Sequence, residues 1–404
     1  MVTVTELSDP GNYYFWVITL SITFAIIIIL KGKLQMLFTI TSFAYPNAKF
    51  NAIGNDYVKK SELESLIESR NFQDAVGILS TRNYPLKDSK HIDEAEAILD
   101  EHNIKSITDI LQHIPLGLHP LVKAYLKKHE VGFIKRVLRQ RLSIIYKGGL
   151  GKEEVRGKSL QKRGVQRGFE AETQVHSIGE LSQELLHQLQ DAERADEIAD
   201  LFVKTPFGKE LREAIHEYDG NFQKIENILD KYVYTELQQA DDKVAHTVAI
   251  PTKMFSNHLL DIANIKMLLR AKRKGFDTET CKNMLYPAGL ALPSWKLEQM
   301  CESSDVPELT TDLEGTKYYT VIKDLIADYE KNRDVSPLEI ALDKYLLRLM
   351  VEIAIQYTTT AGPTIRYMVS REYETRNLKT ILHGLDEGLD YKRIIPLVIT
   401  EEED

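Results

Sequence analysis

Apolar residues recur at helical intervals along most of the chain, and strict apolar–polar alternation is scarce. Residues 61–79 illustrate the pattern. Leu63, Leu66, Ile67, Ala75, Ile78 and Leu79 follow at three- and four-residue steps, and Ser61 with Glu64 three places later makes a capping-box start. The spacing predicts an all-α protein.

One segment departs from amphipathic spacing. Residues 13–30 (YYFWVITLSITFAIIIIL) hold eighteen positions without a charge. As a helix they would extend about 27 Å, close to the ~30 Å hydrocarbon core of a bilayer. Tyr13, Tyr14 and Trp16 stand at one end, Lys31 and Lys33 follow the other, and Glu6 and Asp9 precede the run. As a transmembrane helix, it would leave the bulk of the chain in the cytoplasm by the lysine bias. The alternatives are translation from Met36, which would omit the run, and a buried core helix. A cleaved signal peptide fits poorly, because no basic n-region and no small-residue cleavage pattern accompany the run.

The apolar pattern also repeats at long range. Leu99-Asp100 recurs as Leu229-Asp230 and Leu342-Asp343, and Ile134-Lys135 recurs as Ile265-Lys266 and Leu378-Lys379. First block and second block stand 35, 36 and 36 residues apart. Each second block carries an i, i+3, i+4 apolar set, one face of a helix: Ile134, Val137, Leu138; Ile265, Leu268, Leu269; Leu378, Ile381, Leu382. An acid stands four residues before each set (Glu130, Asp261, Glu374). A basic or imidazole residue stands five after its first member (Arg139, Arg270, His383). A looser block lies upstream at Thr81 with Tyr84, Thr205 with Phe207, and Thr316 with Tyr318. The copies recur at intervals of 130 and 113 residues, too long for a helical-pair solenoid and long enough for a small helical domain each. Three similar helical domains suggest a pseudo-threefold arrangement around a central space.

Composition sharpens this reading. The 404 residues suffice for two or three domains, and 43% hydrophobic residues supply real cores. The formal charge is −9, which argues against nucleic acid as the main partner. Residues 147–168 hold six glycines, seven Lys or Arg and two Glu, and read as an exposed basic connection. Without its +5 the remaining chain stands at −14, so the wall of a central space is expected to be negative.

No catalytic constellation emerges. The run Gly148 to Lys152 (GGLGK) fails as a phosphate loop, because Tyr146 and Glu153 hold the places of the required Gly and Ser or Thr. His102, His113, His119 and His129 lack metal-ligand spacing, and Cys281 and Cys301 read as buried free thiols. No cofactor or metal is expected. The charged positions of the second blocks (Glu130, Lys135, Arg139, Asp261, Lys266, Arg270, Glu374, Lys379) have two readings: ion pairs on helix faces, or interface contacts.

Residues 371–382 (REYETRNLKTIL), 261–270 (DIANIKMLLR) with Lys272 and Gly275, 285–289 (LYPAG) and 45–50 (YPNAKF) together resemble the C-subunit family of the archaeal A-type ATP synthase. That family also takes in the C protein of bacterial V-type ATPases and the d protein of the vacuolar ATPase. The resemblance covers roughly residues 43–400. It implies a funnel of three similar helical domains: residues 43–146, 176–286 and 287–404, with an N-terminal extension 1–42 and a basic linker 147–175. It further implies a non-catalytic central-stalk rotor part on the cytoplasmic face of the cell membrane. Such a part sits on the proteolipid ring (built of K), receives the axle subunits D and F, and works in a complex with A, B, E, H and I. Asn264 and Asn377 match the family's Asn before the apolar–basic pair, while Phe133 takes that place in the first copy. Family members are generally soluble, so the apolar run departs from the pattern. The rival reading is a membrane-tethered helical adaptor unrelated to ATPases, its basic loop touching anionic lipid or a partner.

Overall fold

Six long helices carry the repeated blocks, and the physical origin of each is legible at its ends and faces. The structure is a computed structural model that describes residues 10–148 except 83 and 88, residues 188–189, and residues 191–402. Among these residues all regular structure is helical. In chain order the helices begin with α1 (Pro10–Ile53), α2 (Lys60–Ile67), α3 (Phe72–Thr81), α4 (Ile92–Ile110) and α5 (His119–Gly148). Then come α6 (Ala195–Leu201), α7 (Gly208–His216), α8 (Gln223–Asp242), α9 (Ala249–Arg273), α10 (Thr278–Met284), α11 (Ser294–Met300) and α12 (Val306–Asp312). The series ends with α13 (Lys317–Ile322), α14 (Ile326–Asn332), α15 (Ser336–Gln356), α16 (Gly362–Asp386) and α17 (Tyr391–Ile394). Most of the basic linker 147–175, with the rejected phosphate-loop run beyond Gly148, lies outside the described residues.

Helices α9 and α16 show how local sequence sets the frame. Both are buried over most of their length, and both stop by the same device. In α9, Gly275 at φ +73° lets its N–H reach Lys272 O (3.0 Å) while Phe276 N–H reaches Ala271 O (3.1 Å). In α16, Gly388 at φ +68° does the same for Leu385 O (3.2 Å), with Leu389 N–H on Gly384 O (2.8 Å). This left-handed C-terminal motif satisfies carbonyls that the helix leaves unpaired. Two residues past each glycine an aspartate starts the next helix: Asp277 accepts from Thr280 N–H (2.7 Å) and Asp390 from Arg393 N–H (3.1 Å).

The long helices pack in a closed cycle: α4 on α5, α5 on α8, α8 on α9, α9 on α15, α15 on α16, and α16 back on α4. Two of the apolar cores follow the same logic. One joins α6, α7 and the first half of α8 to the second half of α5, through Ile134, Val137 and Leu138. Another joins residues 57–99 to Leu378, Ile381 and Leu382 of α16, so the last copy's apolar face fills the core of the first segment. The third core, the largest, takes Ile265, Leu268 and Leu269 of α9 together with α11 to α16 and parts of α1, α4 and α5. The i, i+3, i+4 sets therefore bury against the segment that follows in the cycle.

Residues 401–402 meet residues 58–60 at the closure. Glu401 N–H donates to Val58 O (3.0 Å), and Lys60 N–H donates to the Glu402 carboxylate (2.7 Å). From this junction α1 runs without a break into the apolar extension. Its residues 43, 47 and 50 are buried, whereas Tyr14, Phe15, Trp16 and the apolar side chains through Phe38 are exposed. The apolar run is thus not a buried core helix of this chain.

Candidate interface: the latched central hollow

Each Lys of a second block meets the Asp of the next first block. Lys135 pairs with Asp230 (2.7 Å), Lys266 with Asp343 (2.7 Å) and Lys379 with Asp100 (2.5 Å). One turn further along, the pairing repeats: Arg139 with Glu226 (2.5 Å), Arg270 with Glu339 (2.5 Å, bidentate) and His383 with Glu96 (3.9 Å). Both rungs run from copy one to two, two to three, and three to one. The lysines and arginines of the second blocks thus form ion pairs between helices of successive copies, because i and i+4 on one helix face j and j−4 on an antiparallel neighbour.

The three latches differ in depth. Asp343 retains 5% of its side-chain exposure and also accepts from Arg376 (2.6 Å) and Tyr373 (2.9 Å). Burial pushes its carboxyl up, but Lys266 and Arg376 overcome this and hold it below the usual carboxylate range. Asp100 is held down in the same way, burial being outweighed by Lys379 and Arg136. Asp230 is the most open, at 30% exposure.

Four of the remaining predicted residues hold backbone. Asn264 accepts from Tyr286 N–H (2.9 Å) and donates to Pro287 O (3.0 Å), fastening the segment after α10. Asn377 accepts from Ile399 N–H (2.8 Å) and donates to Ile399 O (2.7 Å) and Tyr57 O (2.9 Å). Asp261 accepts from Ala291 N–H (3.1 Å), Leu292 N–H (3.2 Å) and the Tyr318 hydroxyl (3.0 Å). Burial raises its carboxyl to about 6 despite these donors. Glu374 accepts from Tyr57 N–H (3.1 Å) and Arg371 (2.5 Å), and burial raises it as well. Tyr318 and Tyr84, the upstream block, supply the ring above these acids, with the Tyr84 hydroxyl on Arg371. Glu130 is half-buried on α5.

A hollow of about 840 Å³ opens among α5, α8, α9, α15 and α16. Of the predicted residues, Lys135, Lys266 and Arg270 line it; the others do not. Its charged wall consists of Lys128, Lys135, Lys266, Arg270, Arg273, Lys274 and Arg376 against Glu226, Asp230, Glu339, Asp343 and Glu372. Seven cations face five carboxylates, so the expected negative wall is replaced by a mixed one with a cationic excess. The latches do not supply that excess, contributing Lys135, Lys266 and Arg270 against Glu226, Asp230, Glu339 and Asp343; it comes from Lys128, Arg273, Lys274 and Arg376 set against Glu372. Glu372 is fixed there by Lys128 (2.6 Å) and Tyr125; burial raises its carboxyl, but Lys128 and His129 bring it down to about 2. Among the described residues no group of three or more His, Cys, Asp or Glu is placed to hold a metal ion.

Sequence reasoning missed the carboxylates of the second rung. Glu96, Glu226 and Glu339 each stand four residues before the repeated Asp, a fixed offset visible in the chain.

Fold and site define a class: an all-helical scaffold whose repeated blocks are joined by ion pairs, two of them beside a hollow. The chain belongs to the ATP synthase (C/AC39) subunit family, whose sequence model matches residues 46–395. It is similar to the A-type ATP synthase C protein of Methanocaldococcus jannaschii, with 26% identity over 91% of this chain and 88% of that protein. The corresponding figures are 27%, 94% and 93% for the C protein of Methanosphaera stadtmanae, and 25%, 90% and 92% for that of Pyrococcus abyssi.

Proposed function

We propose that this chain is the central-stalk rotor component of an A-type ATP synthase. It links the membrane proteolipid ring (built of K) to the axle subunits D and F, so that ion-driven rotation is coupled to ATP synthesis. It does this without catalysis of its own, on the cytoplasmic face of the cell membrane, in a complex with A, B, E, H and I. The relatives' shared designation, the C component of an A-type ATP synthase, supports the assignment to that machine. The observation that carries the mechanical part is the closed cycle of six helices with an ion-pair latch at each of the three junctions between successive copies. A coupling part must carry twist without internal slip. Three junctions, each with buried apolar contacts and two polar rungs, resist sliding because a shift by one turn exchanges two rungs for one. The hollow, with Ser336 exposed on its wall, is the surface offered to the axle end, and its mixed charge suits a tip carrying both signs.

Purification of the complex from native membranes tests this reading. Head, ring and axle proteins are expected to co-purify, and a Ser336→Cys variant is expected to crosslink to one of the two axle proteins. Purification without head and ring proteins, or ATP turnover by the isolated chain, would overturn it.

A further inference from the structure

We propose that α1 crosses the lipid bilayer as a single span, N-terminus outside, making this chain an integral membrane protein. The inference does not rest on the rotor role. Four observations on the helix point to hydrocarbon as its surroundings.

The first is exposure. The helix from Tyr14 has a mean hydropathy of 2.2 in its most apolar window, and none of that window is buried against the chain. Ile22, Ile26, Ile27, Ile28 and Ile29 each keep 50–58% of their surface open, on every side of the helix. A face seeking one protein neighbour would be apolar on one side only; all-round apolarity fits a lipid solvent. The second is length: the eighteen uncharged residues 13–30 extend about 27 Å. The third is polar satisfaction. The hydroxyls inside the run bond to their own helix, Thr19 to Phe15 O, Ser21 to Val17 O and Thr23 to Thr19 O, each at 2.8 Å. Internal bonding is what a medium without water demands. The fourth is the flanks. Tyr14 and Trp16 suit the headgroup boundary at one end, and Lys31 and Lys33 suit the cytoplasmic boundary at the other.

The helix then continues unbroken into the body. From Leu30 to the buried Phe43 it covers thirteen residues, or about 20 Å, a stiff spacer between the hydrocarbon edge and the six-helix cycle. Its far end is clamped to the third copy: Asn47 donates to Thr358 O (3.0 Å) and Thr360 O (2.8 Å), and Phe50 stacks on Tyr367 at 4.8 Å. The span is thus fixed to the body and turns with whatever the body turns with.

Vesicles of phosphatidylcholine and phosphatidylglycerol, mixed with the purified full chain alone, provide the first test. The chain is expected to float with the vesicles and to resist alkaline carbonate. The double variant Ile22→Lys, Ile27→Lys, whose side chains touch nothing in the body, is expected to lower flotation about a hundredfold with an unchanged helical spectrum. In whole cells, Thr5→Cys is expected to react with an impermeant maleimide and Ser42→Cys only after lysis, since Cys281 and Cys301 are buried. Carbonate release would mean surface adsorption and overturn the span. Self-association without vesicle binding would make a second copy the cover. Labelling of both thiols from one side, or loss of the segment from the mature chain, would also refute the proposal.

Discussion

Neutralising Asp343 should cost more than neutralising either of its two counterparts, because burial and partner number decide what a latch is worth. In Asp343→Asn the carboxylate shared by Lys266, Arg376 and Tyr373 is lost. Arg376, 45% exposed, can turn toward water, but Lys266, 17% exposed, is left with an ammonium partly stripped of solvent. Leaving one member of a buried pair uncompensated costs about 3–5 kcal/mol. Asp230→Asn removes a single, 30% exposed partner of Lys135 and should cost about 1 kcal/mol or less. Asp100→Asn, at 19% exposure with Lys379 and Arg136, should fall between. Urea denaturation of the full chain, followed by circular dichroism, gives the order directly. Adding Lys266→Met to Asp343→Asn should recover part of the loss, since the stranded charge is then gone. The folded Asp343 carboxyl sits below its unfolded value. Its stabilisation is therefore present above the ordinary aspartate pKa and lost as pH falls, so the gap between wild type and variant should close on acidification. Equal costs at the three aspartates, or a Lys266→Met addition that destabilises further, would refute this reasoning.

Glu372, held at about 2 with 22% of its side chain still open, should contribute about 2 kcal/mol at neutral pH. Thermal melts should show that contribution fading between about pH 4.5 and 2 in the wild type and missing in Glu372→Gln. Gly289→Ala would put a Cβ 2.3 Å from the Asp261 carboxylate and 2.4 Å from Asn257 O. It should destabilise by about 1–3 kcal/mol and speed proteolysis of the 285–292 segment. Asn377→Leu strips Ile399 and Tyr57 of their backbone partners, so limited proteolysis should release the C-terminal segment from residue 395 onward. Asp261, raised to about 6, binds its proton more tightly folded than unfolded. Between about pH 4 and 6 the site should therefore lose stability as pH rises, and a pH titration of Asp261→Asn should lack that slope.

The chain itself determined the helical class and the apolar faces of the three second-block helices. Those follow from spacing: an i, i+3, i+4 set and a constant offset of 35 or 36 residues place side chains on one line wherever the helix goes. Asn264 and Asn377 stood out through the family resemblance. What a repeat offset cannot state is which helix a face meets. That the Lys of one copy seeks the Asp of the next, and that α16 fills the core of residues 57–99, depends on a cyclic closure across some 280 residues of chain. The sign of the hollow's wall was out of reach for a related reason. Net charge is a sum over the chain, whereas the wall is a selection made by packing, which set Lys128, Arg273, Lys274 and Arg376 beside the latch pairs. Even the apolar run had three readings as a string. Only the fold, by leaving the apolar side chains between Tyr14 and Phe38 of α1 exposed while burying Phe43, Asn47 and Phe50, removed the buried helix from among them.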